Sequence, residues 1–265
     1  GRQGEAIALL RGLVDGGEDR LAPLGPMARD ALWKLAALSM MDISSGGPVE
    51  RMTVARGALL RLAREHPNHP RATAALEAAV AYTGNMRQIT KPDPTYVELY
   101  ETTLNDVLKE NPEHRARDLW RIEKGRLYLS LDRVNDALAE FDRVPPDSNR
   151  APDAVFLAIQ GIASEMNGAE TEAERKEWAS RIFERMAPSM QVLGKFLQNP
   201  PHDEERANVI VGYAALTGLS VTTALFELGR YEDALNGARD TIQVAQLLEE
   251  KQKLLTEAQA TVLRC

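Results

Sequence analysis

Residues 125–144, GRLYLSLDRVNDALAEFDRV, decide the fold of this chain. Apolar residues recur at three- and four-residue spacing on both sides of a short polar break, which predicts two amphipathic helices. Gly125 and Tyr128 fall in the first helix, and Ala137 and Phe141 fall in the second. Small residues at these offsets indicate positions where two helices cross closely, because a larger side chain there would cause about 1–3 kcal/mol of overpacking strain.

A related seven-residue signature occurs at three places along the chain. It reads GRQGEAI at residues 1–7, DRVNDAL at residues 132–138 and GRYEDAL at residues 229–235. The Gly or Asp that opens each copy can adopt the left-handed conformation that ends a helix. The acidic residue before the alanine favours the positive end of the next helix. Each copy therefore predicts a turn between two paired helices.

These residues resemble tetratricopeptide repeats, which are helix–turn–helix units of 34 residues with the pattern W-x2-L-G-x2-Y, then A-x3-F, then P. The best match is the stretch at residues 125–144, where the glycine, tyrosine, alanine and phenylalanine are all in register. Arg121 and Lys124 stand where the family has Trp and Leu. We therefore expect a local change of register in that helix.

The resemblance implies an all-α fold, a right-handed α-solenoid of antiparallel helix pairs. The sequence contains no strand-like alternation of useful length, which agrees with this fold. We expect one domain over residues 1–265. Its degenerate units lie at about residues 1–22, 26–69, 70–114, 115–149, 152–190 and 203–245, followed by an extended C-terminal helix to about residue 262. Because the first signature begins at Gly1, we expect a longer array or the removal of upstream sequence.

Local signals predict the connections between these helices. Longer loops are expected at residues 42–48 and 85–94, and capping boxes that begin at Thr95 and Thr171 predict helix starts. The segments HPNHP, NPEH, VPPDS and NPPHD predict turns. Tyr100 takes the position of the close-packing alanine, so a wider helix crossing is expected there.

The composition is that of an ordered chain, with 44% hydrophobic and 27% charged residues. The net charge is −7, and residues 151–265 hold 11 Lys and Arg against 17 Asp and Glu. This acidic part repels phosphate, which disfavours a nucleic-acid partner. The single cysteine, Cys265, excludes an internal disulfide and a Cys-based metal site.

Residues 207–226, ANVIVGYAALTGLSVTTALF, contain no charge and are about long enough to span a bilayer. Their serine, threonine and asparagine side chains weaken insertion, and neither an aromatic belt nor a cationic cluster accompanies them. We expect a buried helix of a soluble protein. No signal peptide is recognised at the start of the chain, and the compartment stays open.

The sequence contains no catalytic motif of the common types. Neither a G-x-S-x-G nucleophile turn nor a phosphate-binding glycine loop occurs. His66 and His69 have a spacing that a metal could use, but they lie in a proline-bounded turn with no third ligand suggested nearby, so we interpret them as exposed turn residues. Carboxylates at helix starts are explained by capping. We predict no enzyme activity, no cofactor and no metal.

The resemblance also implies where a partner binds, because the first helices of successive tetratricopeptide units line a concave groove that holds a peptide or a helix. That rule gives ten candidates here: Lys34, Leu38, Arg71, Tyr82, Leu119, Ile122, Arg126, Leu129, Ile162 and Met166. Arg71, Tyr82 and Arg126 carry the most weight, since Arg and Tyr anchor interfaces. For the apolar members a core position is the stronger interpretation.

We therefore expect a non-enzymatic scaffold, adaptor or assembly factor that binds a protein or peptide in the groove. One alternative is an accessory or regulatory region of a larger enzyme, suggested by the incomplete first unit. A second is a helical-repeat RNA binder, because Arg117, Arg121 and Lys124 share one helical stripe. The long C-terminal helix is a further candidate contact, either with a partner or with a second copy of the chain.

Overall fold

The computed structural model describes residues 2–15, 26–44, 50–89 and 94–246. All regular structure in these ranges is α-helical, which confirms the all-α prediction. The helices are α1 (Arg2–Asp15), α2 (Pro26–Ser44), α3 (Arg51–Glu65), α4 (Ala72–Ile89), α5 (Pro94–Glu110), α6 (Arg117–Leu129), α7 (Val134–Phe141), α8 (Ala151–Gly168), α9 (Glu172–Gln198), α10 (Glu204–Glu227) and α11 (Tyr231–Ala245). The chain divides into two compact units, residues 1–120 and 121–265.

In unit 1, residues 1–120, each helix packs on the next one along the chain, from α1 through α5. Fully buried apolar side chains fill these contacts, with Leu32, Leu59 and Leu104 at 1% exposure or less. Burying one such side chain stabilises a fold by about 1.5–3 kcal/mol. Arg56 adds a polar link between α3 and α5, since its Nε donates to Thr103 Oγ1 at 2.7 Å.

In unit 2, residues 121–265, helices α7 to α11 also pack in chain order, and α8 packs on α10 as well. A helix that contacts its next-but-one neighbour is the packing of stacked helix pairs, as in a solenoid. One apolar core runs from Ile122 on α6 to Ala234 on α11. Solenoid-type stacking is thus present within unit 2, whereas the right-handed sense and the single domain stay predictions.

The two signature turns inside the described residues share one backbone geometry. Asp132 has φ 56° and Gly229 has φ 74°, so the predicted left-handed conformation is confirmed at both. The N–H of the following residue, Arg133 or Arg230, donates to the carbonyl five residues back at 2.9 Å. This bond ends the helix as a Schellman motif. The third copy lies partly outside the described residues, because it begins at Gly1.

The small residues of the signature lie where helices cross. Ala137 and Ala234 are both fully buried in the unit 2 core. A Cβ added to Gly125 would overlap the ring of Phe141, so the close approach of α6 and α7 requires a glycine at this position. In unit 1 a Cβ on Gly84 of α4 would lie 3.1 Å from the ring of Tyr100 on α5. The bulk of that tyrosine is therefore accommodated by a glycine on the facing helix.

Two of the predicted connections are wrong in detail. Residues 85–89 continue α4, so the loop expected at residues 85–94 is shorter. The helix α5 begins at Pro94, whose fixed φ suits the first helical position, and Thr95 is therefore inside the helix and not its cap. The second capping box is confirmed, because Thr171 Oγ1 accepts from the N–H of Glu174 at 3.2 Å. The loop at residues 42–48 and the helix beyond residue 246 lie mostly or wholly outside the described residues.

The turns between helix pairs share a capping device. In each of the four proline-containing segments, one side chain accepts the N–H two residues later: His69 from Arg71 at 3.2 Å, His114 from Ala116 at 3.1 Å, Ser148 from Arg150 at 3.2 Å and Asp203 from Glu205 at 3.1 Å. These bonds satisfy backbone donors at the starts of α4, α6, α8 and α10. The predicted turns are confirmed, and two of the four histidines serve as caps.

One described helix, α10, is long and apolar enough to cross a membrane by length and composition, with a mean hydropathy of 1.8 in its most apolar window. Half of that window is buried inside the protein. A core helix meets the same test, and α10 packs on α8, α9 and α11.

Candidate functional site

The candidates in unit 1 lie at or near its surface. Lys34 and Arg71 are exposed, and Leu38, Tyr82 and Leu119 are half-buried. The guanidinium of Arg71 lies 5.3 Å from the ring of Trp33, within the range of a cation–π contact. Tyr82 packs on the small apolar cluster of Met52 and Tyr96, so part of its ring serves the fold.

In unit 2 the apolar candidates are mostly core residues. Ile122, Ile162 and Met166 are at most 2% exposed and belong to the apolar core, which leaves no side-chain surface for a partner. Leu129 is half-buried and packs on Gly161, where an added Cβ would stand 2.7 Å from it. Arg126 is the exposed member, and it pairs with Glu123 at 2.9 Å.

The basic stripe on α6 is used inside the protein. Arg117 donates to Asp118 at 3.0 Å, and Arg121 donates to the carbonyl of Arg143 at 2.9 Å. Lys124 is nearly buried, with its Nζ 2.8 Å from Glu140 on α7. The helix α6 runs without a break through these positions, and the expected change of register relative to the family pattern stays a prediction. The nearly buried lysine is accommodated because the buried carboxylate of Glu140 faces it.

A polar arrangement in unit 2 joins α8 to α10, which pack side by side. Asp153 of α8 is only 5% exposed at its side chain and accepts from Arg206 Nη1 of α10 at 3.0 Å. A second nitrogen of Arg206 donates to the carbonyl of Asn149 at 3.1 Å. The hydrogen bond and the charge of Asp153 raise the pKa of Arg206 above its usual value, and the arginine stays charged.

Next to this ion pair, two aromatic rings stack. Phe156 of α8 and Tyr213 of α10 have ring centroids 4.2 Å apart and an interplanar angle of 10°. The hydroxyl of Tyr213 donates to Asp153 at 3.2 Å, so the carboxylate fixes the tyrosine as well as the arginine. Burial and then the charge of Asp153 raise the pKa of Tyr213, which keeps its hydroxyl protonated at neutral pH.

A third contact extends the series, because Gln160 of α8 donates to Ser220 of α10 at 3.0 Å. We call these three contacts the α8–α10 ladder: Asp153 with Arg206, Phe156 with Tyr213, and Gln160 with Ser220. The ladder residues are spaced three and four apart on α8 and seven apart on α10. This spacing places them on one stripe of each helix. All except Asp153 are partly exposed. The charge of Arg126 on α6 also acts on Tyr213, lowering its pKa as a minor effect.

The ladder contains only residues that the sequence prediction did not select. Asp153 and Arg206 both fall in or next to the first turn of their helices, where capping explains acidic residues without any pairing. The signal that could have found them is their matching position, since each is the third residue of its helix. Using it requires the correct register of both units.

Comparisons with known proteins add little to this picture. No protein-family model matches the chain, and no curated protein matches it. Among solved structures, a tetratricopeptide repeat protein from Parabacteroides merdae is similar at 17% identity and a TM-score of 0.35, covering 99% of this chain and 100% of that one. At this TM-score nothing about this chain is concluded from the similarity, and the fold assignment rests on the helices described above.

Proposed function

We propose that this chain is a non-enzymatic scaffold or adaptor that binds a protein or peptide through the first-helix surface of unit 2. The α8–α10 ladder is the observation that supports the proposal. It holds a partly exposed aromatic pair in a fixed orientation beside a buried carboxylate, and the exposed Arg126 of α6 has a minor electrostatic effect on Tyr213. Aromatic and arginine side chains held in this way dominate the binding energy of protein interfaces.

The ladder suits an extended peptide or a helix better than a small molecule. It follows two parallel helices along several turns, so its contact positions form a row. Gln160 and Ser220 bond each other and still have hydrogen-bonding capacity for a backbone. Preorganised side chains reduce the entropy lost when a partner binds.

Two observations weigh between the alternatives. The stripe of Arg117, Arg121 and Lys124 is engaged with protein groups, which leaves little basis for an RNA-binding role. A role as an accessory region of a larger enzyme is compatible with the same binding surface. The proposal therefore concerns protein binding by unit 2.

The test is affinity capture from a lysate of the source organism with the chain as bait. Arg126→Glu reverses the exposed charge, and Phe156→Ser removes half of the stacked pair. We expect the recovered partners to be reduced about tenfold or more, since anchors of this type carry 2 kcal/mol or more. Tyr231→Ala is the matched control, because Tyr231 is 54% exposed and lies outside the ladder.

The outcome that contradicts the proposal is equal recovery of every partner by wild type, Arg126→Glu and Phe156→Ser. Thermal melting of each variant separates a loss of binding from a loss of folding. Tyr213→Phe adds a finer comparison, because it keeps the stacked ring and removes the bond to Asp153.

A further inference from the structure

Two of the grooves beside α9 in unit 2 differ in how the chain itself fills them. The first, between α7 and α9, has a volume of about 230 Å³. Arg185 of α9 crosses it and donates to both carboxylate oxygens of Asp142 at 2.6 and 2.7 Å. Bidentate bonds of this kind are among the strongest side-chain contacts. The chain's own ion pair therefore spans this groove.

The second groove, between α9 and α11, is larger and more apolar. Its volume is about 370 Å³, within the range of about 300–1,000 Å³ that binding clefts occupy. The α9 wall contains Phe183, Met186 and Met190, and α10 forms the floor with Val221 and Leu225. Met190 is 40% exposed. Within residues 172–246 that the structure describes, no hydrogen bond or ion pair joins α9 to α11.

The charges of this groove lie on its α11 wall. Arg230 donates to Asp233 at 2.8 Å, and its guanidinium lies 4.4 Å from the ring of Phe183. These contacts close one end of the groove and neutralise Asp233. Asp240 also lines the groove and has no hydrogen-bond or ion-pair partner among the described residues. Among the described residues, the open part of the groove is therefore apolar, and Asp240 lines it without a charge partner.

We propose that the α9–α11 groove binds an amphipathic, cationic helix of a partner protein. The apolar face of that helix would cover Met186 and Met190, whose flexible thioether side chains adapt to irregular apolar surfaces. A Lys or Arg at its edge would pair with Asp240. The sign of the charge follows from the surroundings too, since residues 151–265 hold 11 Lys and Arg against 17 Asp and Glu. An anionic helix would be repelled.

This surface is separate from the α8–α10 ladder. The ladder uses Arg206, Tyr213 and Ser220 of α10, whereas the groove uses the stripe that contains Val221 and Leu225. The groove proposal therefore does not depend on the ladder.

The probe is a fluorescein-labelled 18-residue peptide of Leu and Lys in a helical pattern, titrated with the full chain and followed by fluorescence anisotropy. We expect Asp240→Lys to weaken binding about tenfold, which corresponds to about 1.4 kcal/mol. Met190→Ser should also weaken binding, because it removes apolar contact. Asp147→Lys is the control, since it makes the same charge change on an exposed turn residue outside the groove. It should change binding by about twofold at most, as a remote rim charge does.

Either of two results overturns the proposal. One is equal weakening by Asp240→Lys and Asp147→Lys, which means that net charge alone attracts the peptide. The other is equally tight binding of a matched peptide of Leu and Glu, or no binding of the Leu and Lys peptide at all. Melting curves of the variants establish that they are folded. Asp240 and Met190 are exposed, so both substitutions preserve the core.

Discussion

The helix pairs α6–α7 and α10–α11 have the same type of turn but differ in the residues that pack where their helices cross. Both turns have a left-handed residue, a backbone bond of 2.9 Å and a fully buried alanine. In α6–α7, Gly125 receives the ring of Phe141, and a buried ion pair lies beside it. In α10–α11 two glycines each face a threonine on the other helix: Gly218 with Thr241 and Gly237 with Thr222.

The comparison shows which residues a close helix crossing requires and which can vary. A close crossing requires a small residue on one helix opposite a larger one on the other. The larger residue is a phenylalanine in one pair and a threonine in the other, and the glycine occurs once or twice. A charge at the crossing requires more, because a buried lysine is tolerated only when a carboxylate meets it.

The largest loss of stability is expected when the charge of Lys124 loses its carboxylate partner. Glu140→Ala removes the partner of Lys124, whose side chain is only 13% exposed, and should lower the free energy of unfolding by about 3 kcal/mol. The double variant Lys124→Leu with Glu140→Leu should recover most of that loss, because an apolar pair needs no partner. Urea denaturation measures both. A double variant as unstable as Glu140→Ala would show that the ion pair is not the cause.

A smaller loss is expected from Gly125→Ala, which places a methyl group against the Phe141 ring. The free energy of unfolding should fall by about 2 kcal/mol, the cost of overpacking a tight contact. Gly194→Ala in α9 is the matched control, because nothing lies within 4 Å of its added Cβ. That change should stabilise the protein by about 0.5–1 kcal/mol through helix propensity. Equal effects at the two sites would mean that Gly125 is not at a close crossing.

Sequence reasoning succeeded where the signal is local. The left-handed positions Asp132 and Gly229, the buried Ala137 and Ala234 and the Thr171 capping box follow from a few adjacent residues and are confirmed, whereas Ala6 in the first copy is only half-buried. It failed at Thr95, where a proline one residue earlier determines the helix start. For Ile122, Ile162 and Met166 it left both a core and a groove position open and favoured the core, where the structure has them.

The non-local contacts were out of reach for a different reason. Lys124 and Glu140 are 16 residues apart, and the ladder pairs are 53 to 60 residues apart. Such pairs depend on the register of one helix against another, which periodicity within each helix does not determine. The ladder could be predicted only after the helix bounds were known.

The capping side chains at the turns determine how the stability of the protein responds to a fall in pH. Those of unit 1 include His114, whose pKa burial lowers, whereas unit 2 uses Ser148 and Asp203. Glu77 raises this pKa and Arg115 lowers it, both less strongly than burial. The unfolded chain therefore takes up this proton at a higher pH than the folded one. The stability that His114 contributes is present above its ordinary pKa of about 6.5 and is lost as the pH falls through its folded value.

Protonation at Nδ1 also removes the acceptor for the N–H of Ala116, at a cost of about 1 kcal/mol for a lost cap. Amide exchange followed by NMR between pH 7 and pH 5 should show Ala116 losing protection while Arg150, capped by Ser148, keeps it. His114→Ser should remove that pH dependence, since a serine accepts the same bond without titrating. Equal loss at both amides would show that acid acts on the whole protein and not on this cap.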